Sequence, residues 1–131
     1  MVCLDTSFII ALIRRDPKAE RKLEEYVSRA ARLSTTPITA FELFKGAYKS
    51  EKKDAEVRKV REILSRLEIL DFSVDSCERY GKLVNDLELA GTPISDLDAI
   101  IASLALTHSE AVVTADKQHF ERVSGLIVET W

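Results

Sequence analysis

Short segments rich in apolar and β-branched residues alternate along the chain with longer segments whose apolar residues recur every three or four positions. The short segments predict strands at residues 2–4, 33–36, 69–70, 111–114 and 126–128. The longer ones have the periodicity of amphipathic helices. They predict helices at residues 6–14, 17 to about 32, 39–48, 53–67, 74–90 and from 95 onward, with a short helical turn at 116–122. This alternation predicts an α/β fold in which a central parallel sheet of about five short strands is flanked by helices.

Local signals mark the ends of two of these helices. Asp16 followed by Pro17 is typical of a helix start, because an aspartate side chain caps free N–H groups and proline fits the first turn. Ser73 is a suitable cap for the helix that starts at residue 74, and Gly91 is expected to end that helix. These signals predict helix boundaries independently of the apolar pattern.

The composition is that of one folded domain. The chain has 131 residues, of which 46% are hydrophobic and 31% are charged, and it contains no internal repeat. We therefore predict a single domain that spans residues 1–131. The longest apolar run, residues 8–13, is too short to cross a bilayer, so no membrane association is expected.

The N-terminal sequence and the cysteines favour a cytoplasmic protein. Asp5 introduces a charge before an apolar stretch of the length found in secretory signals can form. Cys3 and Cys77 lie within apolar or helical patterns, and we expect both to be reduced, buried thiols.

The net charge gives no support to a nucleic-acid partner by itself. It is −3, whereas domains that bind nucleic acid are usually basic. The objection weakens if several acids surround a bound cation, because the cation changes the local sign of the charge. The placement of the acidic residues therefore decides how the net charge is interpreted.

Four acidic residues occupy positions at which a site is expected. Asp5 directly follows the first predicted strand and Asp116 follows the fourth, and ligands of open α/β sheets bind beyond the carboxyl ends of strands. Asp98 lies in the first turn of a predicted helix, and Glu42 lies inside another. Each also has a purely structural explanation, since the aspartates suit helix caps and Glu42 suits a solvated helix face. Taken singly, none of them identifies a site.

Together, the segments that carry these acids resemble the PIN-domain family. The segments are Leu4-Asp5-Thr6-Ser7, Thr39-Ala40-Phe41-Glu42-Leu43, Ile94-Ser95-Asp96-Leu97-Asp98-Ala99-Ile100-Ile101-Ala102 and Val113-Thr114-Ala115-Asp116. Each motif is short, but the four occur in the family's order and at its separations. The resemblance covers the whole chain and looks most like the VapC branch of toxin–antitoxin ribonucleases.

The resemblance implies a set of site residues. The carboxylates that bind Mg²⁺ or Mn²⁺ and serve in catalysis would be Asp5, Glu42, Asp98 and Asp116. The fourth position varies within the family, so the role of Asp116 is the least fixed. Hydroxyls that support the acids and the bound water would come from Thr6 and Thr114. Asp96 is an additional acid, interpreted as the helix cap or as an outer group of the metal site.

The implied activity is the hydrolysis of RNA phosphodiester bonds, leaving a 5′-phosphate and a 3′-hydroxyl. Carboxylates suit this chemistry because Mg²⁺ and Mn²⁺ prefer oxygen ligands and activate water without a histidine base. The resemblance also implies a toxin held inactive by a small VapB-like antitoxin, and a homodimer.

Basic and aromatic residues near Glu42 allow two interpretations each. Candidate RNA contacts are Arg14, Arg15, Lys45 and Lys49, although charge runs of this kind are also common on solvated helix faces. Aromatic residues at helical spacing, Phe41, Phe44 and Tyr48, predict a core-facing stripe or a partner-binding groove in preference to a base-stacking surface.

Two alternative functions remain open from the sequence. One is a housekeeping nuclease of the same superfamily that processes RNA. The other is a phospho-acceptor signalling module, in which Asp71 would be the acceptor. That module requires a lysine after a late strand, but here Ala115 and Asp116 follow the strand instead.

Overall fold

A computed structural model describes residues 1–131 and contains one five-stranded sheet. The strands are β1 (Val2–Leu4), β2 (Leu33–Thr35), β3 (Glu68–Ile69), β4 (Ala111–Val113) and β5 (Val128–Glu129). Their order across the sheet is β3-β2-β1-β4-β5, and every neighbouring pair is parallel. The predicted α/β fold with five short parallel strands is confirmed.

Seven helices connect the strands. They are α1 (Thr6–Ile13), α2 (Pro17–Ser28), α3 (Pro37–Tyr48), α4 (Lys53–Leu64), α5 (Val74–Leu89), α6 (Asp96–Thr107) and α7 (Lys117–Phe120). The predicted caps are confirmed: Asp16 accepts a hydrogen bond from Lys18, and Ser73 forms a reciprocal capping box with Ser76. Gly91, with φ +72°, follows the end of α5.

Two apolar layers cover the sheet because side chains alternate between its faces. On β1, Leu4 packs in the layer that contains Phe8 and Tyr26. The preceding residue, Cys3, packs in the opposite layer with Ile101. The sheet is therefore buried on both sides, as parallel sheets generally are.

Some of these predictions need correction. Helix α4 ends at Leu64, three residues before its predicted end, and β5 starts at Val128 instead of residue 126. Helix α2 ends at Ser28 instead of near residue 32, because Ala30 adopts φ +53° and turns the chain toward β2. Cys77 is exposed, whereas Cys3 is buried as expected. Cys77 lies on the solvent side of α5, which the helical pattern around it did not distinguish from the core side.

No helix combines the length and apolar character that a membrane crossing requires.

Candidate active site

The order of the strands brings the predicted acids to one edge of the sheet. From β1 the chain first adds β2 and β3 on one side and then adds β4 and β5 on the other side. The boundary between β1 and β4 is therefore a topological switch point, where a crevice forms at the carboxyl ends of the strands. Leu4 pairs with Val113 in register, so Asp5 and Thr114 emerge side by side. Glu42 comes from α3 and Asp98 from α6, two helices that contact each other.

Asp5 lies at the centre of a hydroxyl network. It is only 7% exposed, and its Oδ2 accepts a 2.7 Å hydrogen bond from Thr114 Oγ1. Ser7 Oγ also donates to Asp5 Oδ2, at 3.4 Å, and accepts a 3.0 Å bond from the backbone N–H of Ala115. The backbone N–H of Asp116 donates to Thr114 Oγ1 at 3.0 Å. These bonds fix the loop after β4 against the loop after β1. The motif had included Ser7 without assigning it this role.

Glu42 is held by the start of α1. Thr6 Oγ1 donates a 2.8 Å hydrogen bond to Glu42 Oε1 and lies 3.3 Å from Thr39 Oγ1. Thr39 is itself positioned by Thr36, whose side chain caps α3. One carboxylate oxygen of Glu42 thus has a fixed partner.

Burial and neighbouring negative charges raise the pKa values of two of the acids. Burial raises the pKa of Asp5, the hydrogen bond from Thr114 opposes that shift, and the negative charges of Asp98 and Glu42 add to it. Burial likewise raises the pKa of Asp98, with the charges of Asp116 and Glu42 adding to the shift. Asp5 and Asp98 interact with each other and both interact with Glu42, and Asp98 interacts with Asp116, so the four carboxylates form one electrostatic group.

The oxygen atoms available as metal ligands fit a hard divalent cation. Around Asp5 they are carboxylate and hydroxyl oxygens, the ligands that Mg²⁺ and Mn²⁺ prefer. No three acidic, histidine or cysteine side chains form a group ready to hold one ion. Mg²⁺ nevertheless is commonly held by one or two carboxylates and several waters. The arrangement therefore suits an ion that keeps much of its water shell.

His119 is a neighbour of the site that the sequence interpretation did not include. Its Nδ1 lies 2.7 Å from both carboxylate oxygens of Asp116. The two residues are three positions apart across the short helix α7, a spacing that brings side chains together. That spacing was the available signal. When the imidazole of His119 carries a positive charge, that charge lowers the pKa of Asp98.

Asp96 and Asp71 differ from the four acids in their contacts and position. Ser95 caps α6 by accepting a hydrogen bond from the backbone N–H of Asp98, so the interpretation of Asp96 as the cap is wrong. The carboxylate of Asp96 accepts instead from Tyr80 on α5, at 3.5 Å. Asp71 follows β3, which is an edge strand, whereas the phospho-acceptor hypothesis requires a middle strand.

The predicted basic contacts divide into three kinds. Arg14 lines the same surface groove as Glu42. Arg15 is engaged elsewhere, in a 2.8 Å ion pair with Glu20. Lys45 on α3 and Lys49, which directly follows that helix, are exposed and form no ion pair.

The predicted aromatic core stripe is wrong for two of its three members. Phe41 is 65% exposed and Tyr48 is 55% exposed, whereas Phe44 is partly buried against the core. The buried side of α3 carries Leu43 and Ala47 instead.

Comparisons with known proteins agree with this architecture. Residues 2–126 match the PIN domain family. Ribonuclease VapC2 of Rickettsia felis is 34% identical over 128 residues, which cover 98% of this chain and 96% of the relative. The tRNA(fMet)-specific endonuclease VapC of Salmonella typhimurium is 33% identical with the same coverage. Among solved structures, VapBC2 from Rickettsia felis bound to a promoter DNA fragment contains a chain that superposes with a TM-score of 0.90. That chain is 33% identical, and the match covers 100% of this chain and 99% of the other.

Proposed function

We propose, from the premise that this chain belongs to the PIN-domain family, that it is a divalent-metal-dependent endoribonuclease and the toxin of a toxin–antitoxin pair. The observation that carries the proposal is the convergence of Asp5, Glu42, Asp98 and Asp116 at the switch point between β1 and β4. Neighbouring like charges, one of them buried and three partly exposed, are costly, and a bound cation removes the cost. The Mg²⁺ or Mn²⁺ requirement and the individual residue roles are part of the proposal.

The proposed role of each acid in the reaction follows from its contacts. Asp5 and Asp98, both partly desolvated, would hold the cation. Glu42, with one oxygen bonded to Thr6, would present its second oxygen to a metal-bound or bulk water. Asp116, paired with His119, would orient the water at the opposite side. Thr114 would keep Asp5 in its rotamer throughout the reaction.

A divalent cation bound here would lower the pKa of a water and neutralise charge on the phosphodiester, giving products with a 5′-phosphate and a 3′-hydroxyl.

An antitoxin segment has a fitting surface beside the acids. A groove of about 460 Å³ lies between α1, α3 and α4, with apolar walls from Ile10, Ile13 and Val60. Glu42 and Arg14 lie at its lining. We propose that an amphipathic antitoxin helix binds in this groove, with a cationic side chain directed at Glu42. Such a cation would compete with the metal for the same charge.

The proposal extends to assembly, location and substrate. We propose a homodimer that acts in the cytoplasm, in keeping with a toxin whose substrate is RNA. Because the Salmonella typhimurium relative is a tRNA(fMet)-specific endonuclease, tRNA(fMet) is the first defined RNA to test.

Cleavage of RNA by the purified protein tests the proposal. We expect total RNA to be cut in Mg²⁺ or Mn²⁺ and left intact in EDTA, with mapped ends that carry 5′-phosphates. Absence of cleavage both in Mg²⁺ and in Mn²⁺ would overturn the nuclease assignment. Cleavage that persists in EDTA would overturn the metal dependence.

A further inference from the structure

Helix α3 has one buried face and one exposed face that is unusual in composition. Ile38, Leu43 and Ala47 pack into the core. On the solvent side, Phe41 is 65% exposed and Tyr48 is 55% exposed. Seven positions separate the two aromatic residues, so they lie on the same side of the helix, about 10 Å apart along its axis.

Two lysines share this exposed side. Lys45 and Lys49 are four and eight positions after Phe41, which places them on the same surface of the helix. Neither pairs with a carboxylate. We call the surface formed by Phe41, Lys45, Tyr48 and Lys49 the α3 face. Aromatic and unpaired cationic side chains therefore alternate along it.

The α3 face begins at the active site. Phe41 immediately precedes Glu42, and Leu97, which is 45% exposed, immediately precedes Asp98 on the neighbouring helix. Two of the four acids are thus each adjacent to an exposed large apolar residue. Phe41 is therefore the member of the α3 face that lies nearest in the chain to an acid.

The composition of the α3 face favours a nucleic acid over a protein as its occupant. Lysine is depleted in the cores of protein–protein interfaces, because burying an ammonium group there is costly. Phosphates pair with lysine readily, and aromatic side chains stack on any exposed base. In an RNA duplex the base faces are already stacked and unavailable, so the RNA that matches both features is unpaired.

We infer that the α3 face binds unpaired RNA, with Phe41 and Tyr48 stacking on separate bases and Lys45 and Lys49 contacting phosphates. The inference rests on the proposed ribonuclease function and defines the form of RNA that enters the site, namely a single strand or a loop. It assigns Phe41 as the residue that positions the nucleotide next to the scissile bond.

Binding in EDTA, where cleavage is blocked, tests the inference separately from the nuclease activity. The probes are a fluorescein-labelled oligoadenylate RNA and the same strand annealed to oligouridylate. We expect Phe41→Ala and Tyr48→Ala each to weaken binding of the single strand roughly 5- to 100-fold, the loss typical of one stacked base. Phe72→Ala is the matched control, since Phe72 is 50% exposed but lies away from α3, and it should bind as the wild type does.

A fluorescence measurement identifies stacking directly. Trp131 is the chain's single tryptophan, and its ring packs edge-on against Phe8 in the protein. Phe41→Trp and Tyr48→Trp each introduce a second indole at the α3 face. We expect oligoadenylate to quench the added fluorescence in both variants while leaving Phe72→Trp unchanged, and Phe41→Trp should retain the affinity that Phe41→Ala loses.

Three results would overturn the inference. One is wild-type affinity of folded Phe41→Ala and Tyr48→Ala for the single strand, with folding checked by circular dichroism. Another is equal loss for the single strand and the duplex. The third is a drop in sedimentation mass of Phe41→Ala alone, which would make the α3 face a contact between two copies of this chain. If stacking is observed but the wild type cuts no RNA in Mn²⁺, the inference stands and the proposed nuclease function fails.

Discussion

Thr114 Oγ1 donates a 2.7 Å hydrogen bond to Asp5 Oδ2, although the two residues are 109 positions apart in the chain. The bond joins the ends of β1 and β4, the two strands that flank the switch point of the sheet. It also supplies a donor to a carboxylate that is almost completely removed from water. Thr114 therefore connects the stability of the sheet edge to the geometry of the site.

Replacing Thr114 by valine should damage both properties. Valine has nearly the same shape but cannot donate to Asp5 or accept from the backbone N–H of Asp116. We expect a loss of about 1–3 kcal/mol in the free energy of unfolding, measured by urea denaturation. RNA cleavage should fall about 10- to 100-fold, as when a supporting group of a metal ligand is removed.

Thr107→Val provides the control for that variant, because Thr107 bonds only to the backbone oxygen of Ser103 at the end of α6. It should change stability by no more than about 0.5 kcal/mol and leave cleavage intact. Equal effects of the two valine substitutions would contradict the role given to Thr114.

Glu110 provides a pH-dependent prediction away from the acidic site. Its side chain is buried and neither carboxylate oxygen has a hydrogen-bond partner. Burial raises its pKa, and the positive charges of the Met1 amino group and Arg32 partly oppose that shift. The folded protein therefore binds more protons at this residue than the unfolded chain does. The contribution of Glu110 to stability is complete below the unfolded pKa of about 4.3 and is lost as pH rises through the raised folded pKa.

Glu110→Met removes this titration while keeping a side chain of similar length. We expect the variant to be more stable than the wild type at neutral pH, with an advantage that shrinks as pH is lowered toward the unfolded pKa. Urea denaturation at several pH values measures the difference. A difference that does not change with pH, or a wild type that is the more stable at neutral pH, would show that Glu110 is satisfied in the folded protein.

Metal binding should appear as a change in thermal stability. In EDTA, Asp98→Asn should melt at a higher temperature than the wild type near neutral pH, because the variant lacks one of several mutually repelling charges. Mn²⁺ at a hundred times its dissociation constant should stabilise the wild type by about 2.7 kcal/mol. The same Mn²⁺ concentration should stabilise Asp98→Asn much less. Identical Mn²⁺ shifts in both proteins would remove Asp98 from the metal site.

Much of this architecture was predictable because local and long-range signals agreed. Runs such as residues 2–4 and 111–113 are apolar on both sides, as buried parallel strands require. The acids at the ends of those strands then meet as a consequence of strand order. Asp5 and Asp116 could therefore be named as candidate site residues from their position and motif, without any knowledge of their contacts.

What the sequence left undetermined is which side of a helix faces the core. The spacing of Phe41 and Tyr48 correctly places them on one face of α3, but it does not reveal that Leu43 and Ala47 occupy the packed face. Cys77 on α5 poses the same problem. The face of a helix that becomes buried is decided by the elements that pack against it in space, and those elements are distant in the chain.

The role of Asp98 is the central claim, and two neighbouring aspartates test it most directly. Asp96 and Asp98 both lie in the first turn of α6. The charges of Asp116 and Glu42 add to the burial that raises the pKa of Asp98, whereas Asp96 accepts a hydrogen bond from Tyr80. RNA cleavage in Mn²⁺ should be compared for the wild type, Asp96→Asn and Asp98→Asn, each shown to be folded. We expect a loss of at least about a hundredfold for Asp98→Asn and near wild-type cleavage for Asp96→Asn. Wild-type cleavage by Asp98→Asn, or an equal loss in both variants, would contradict it.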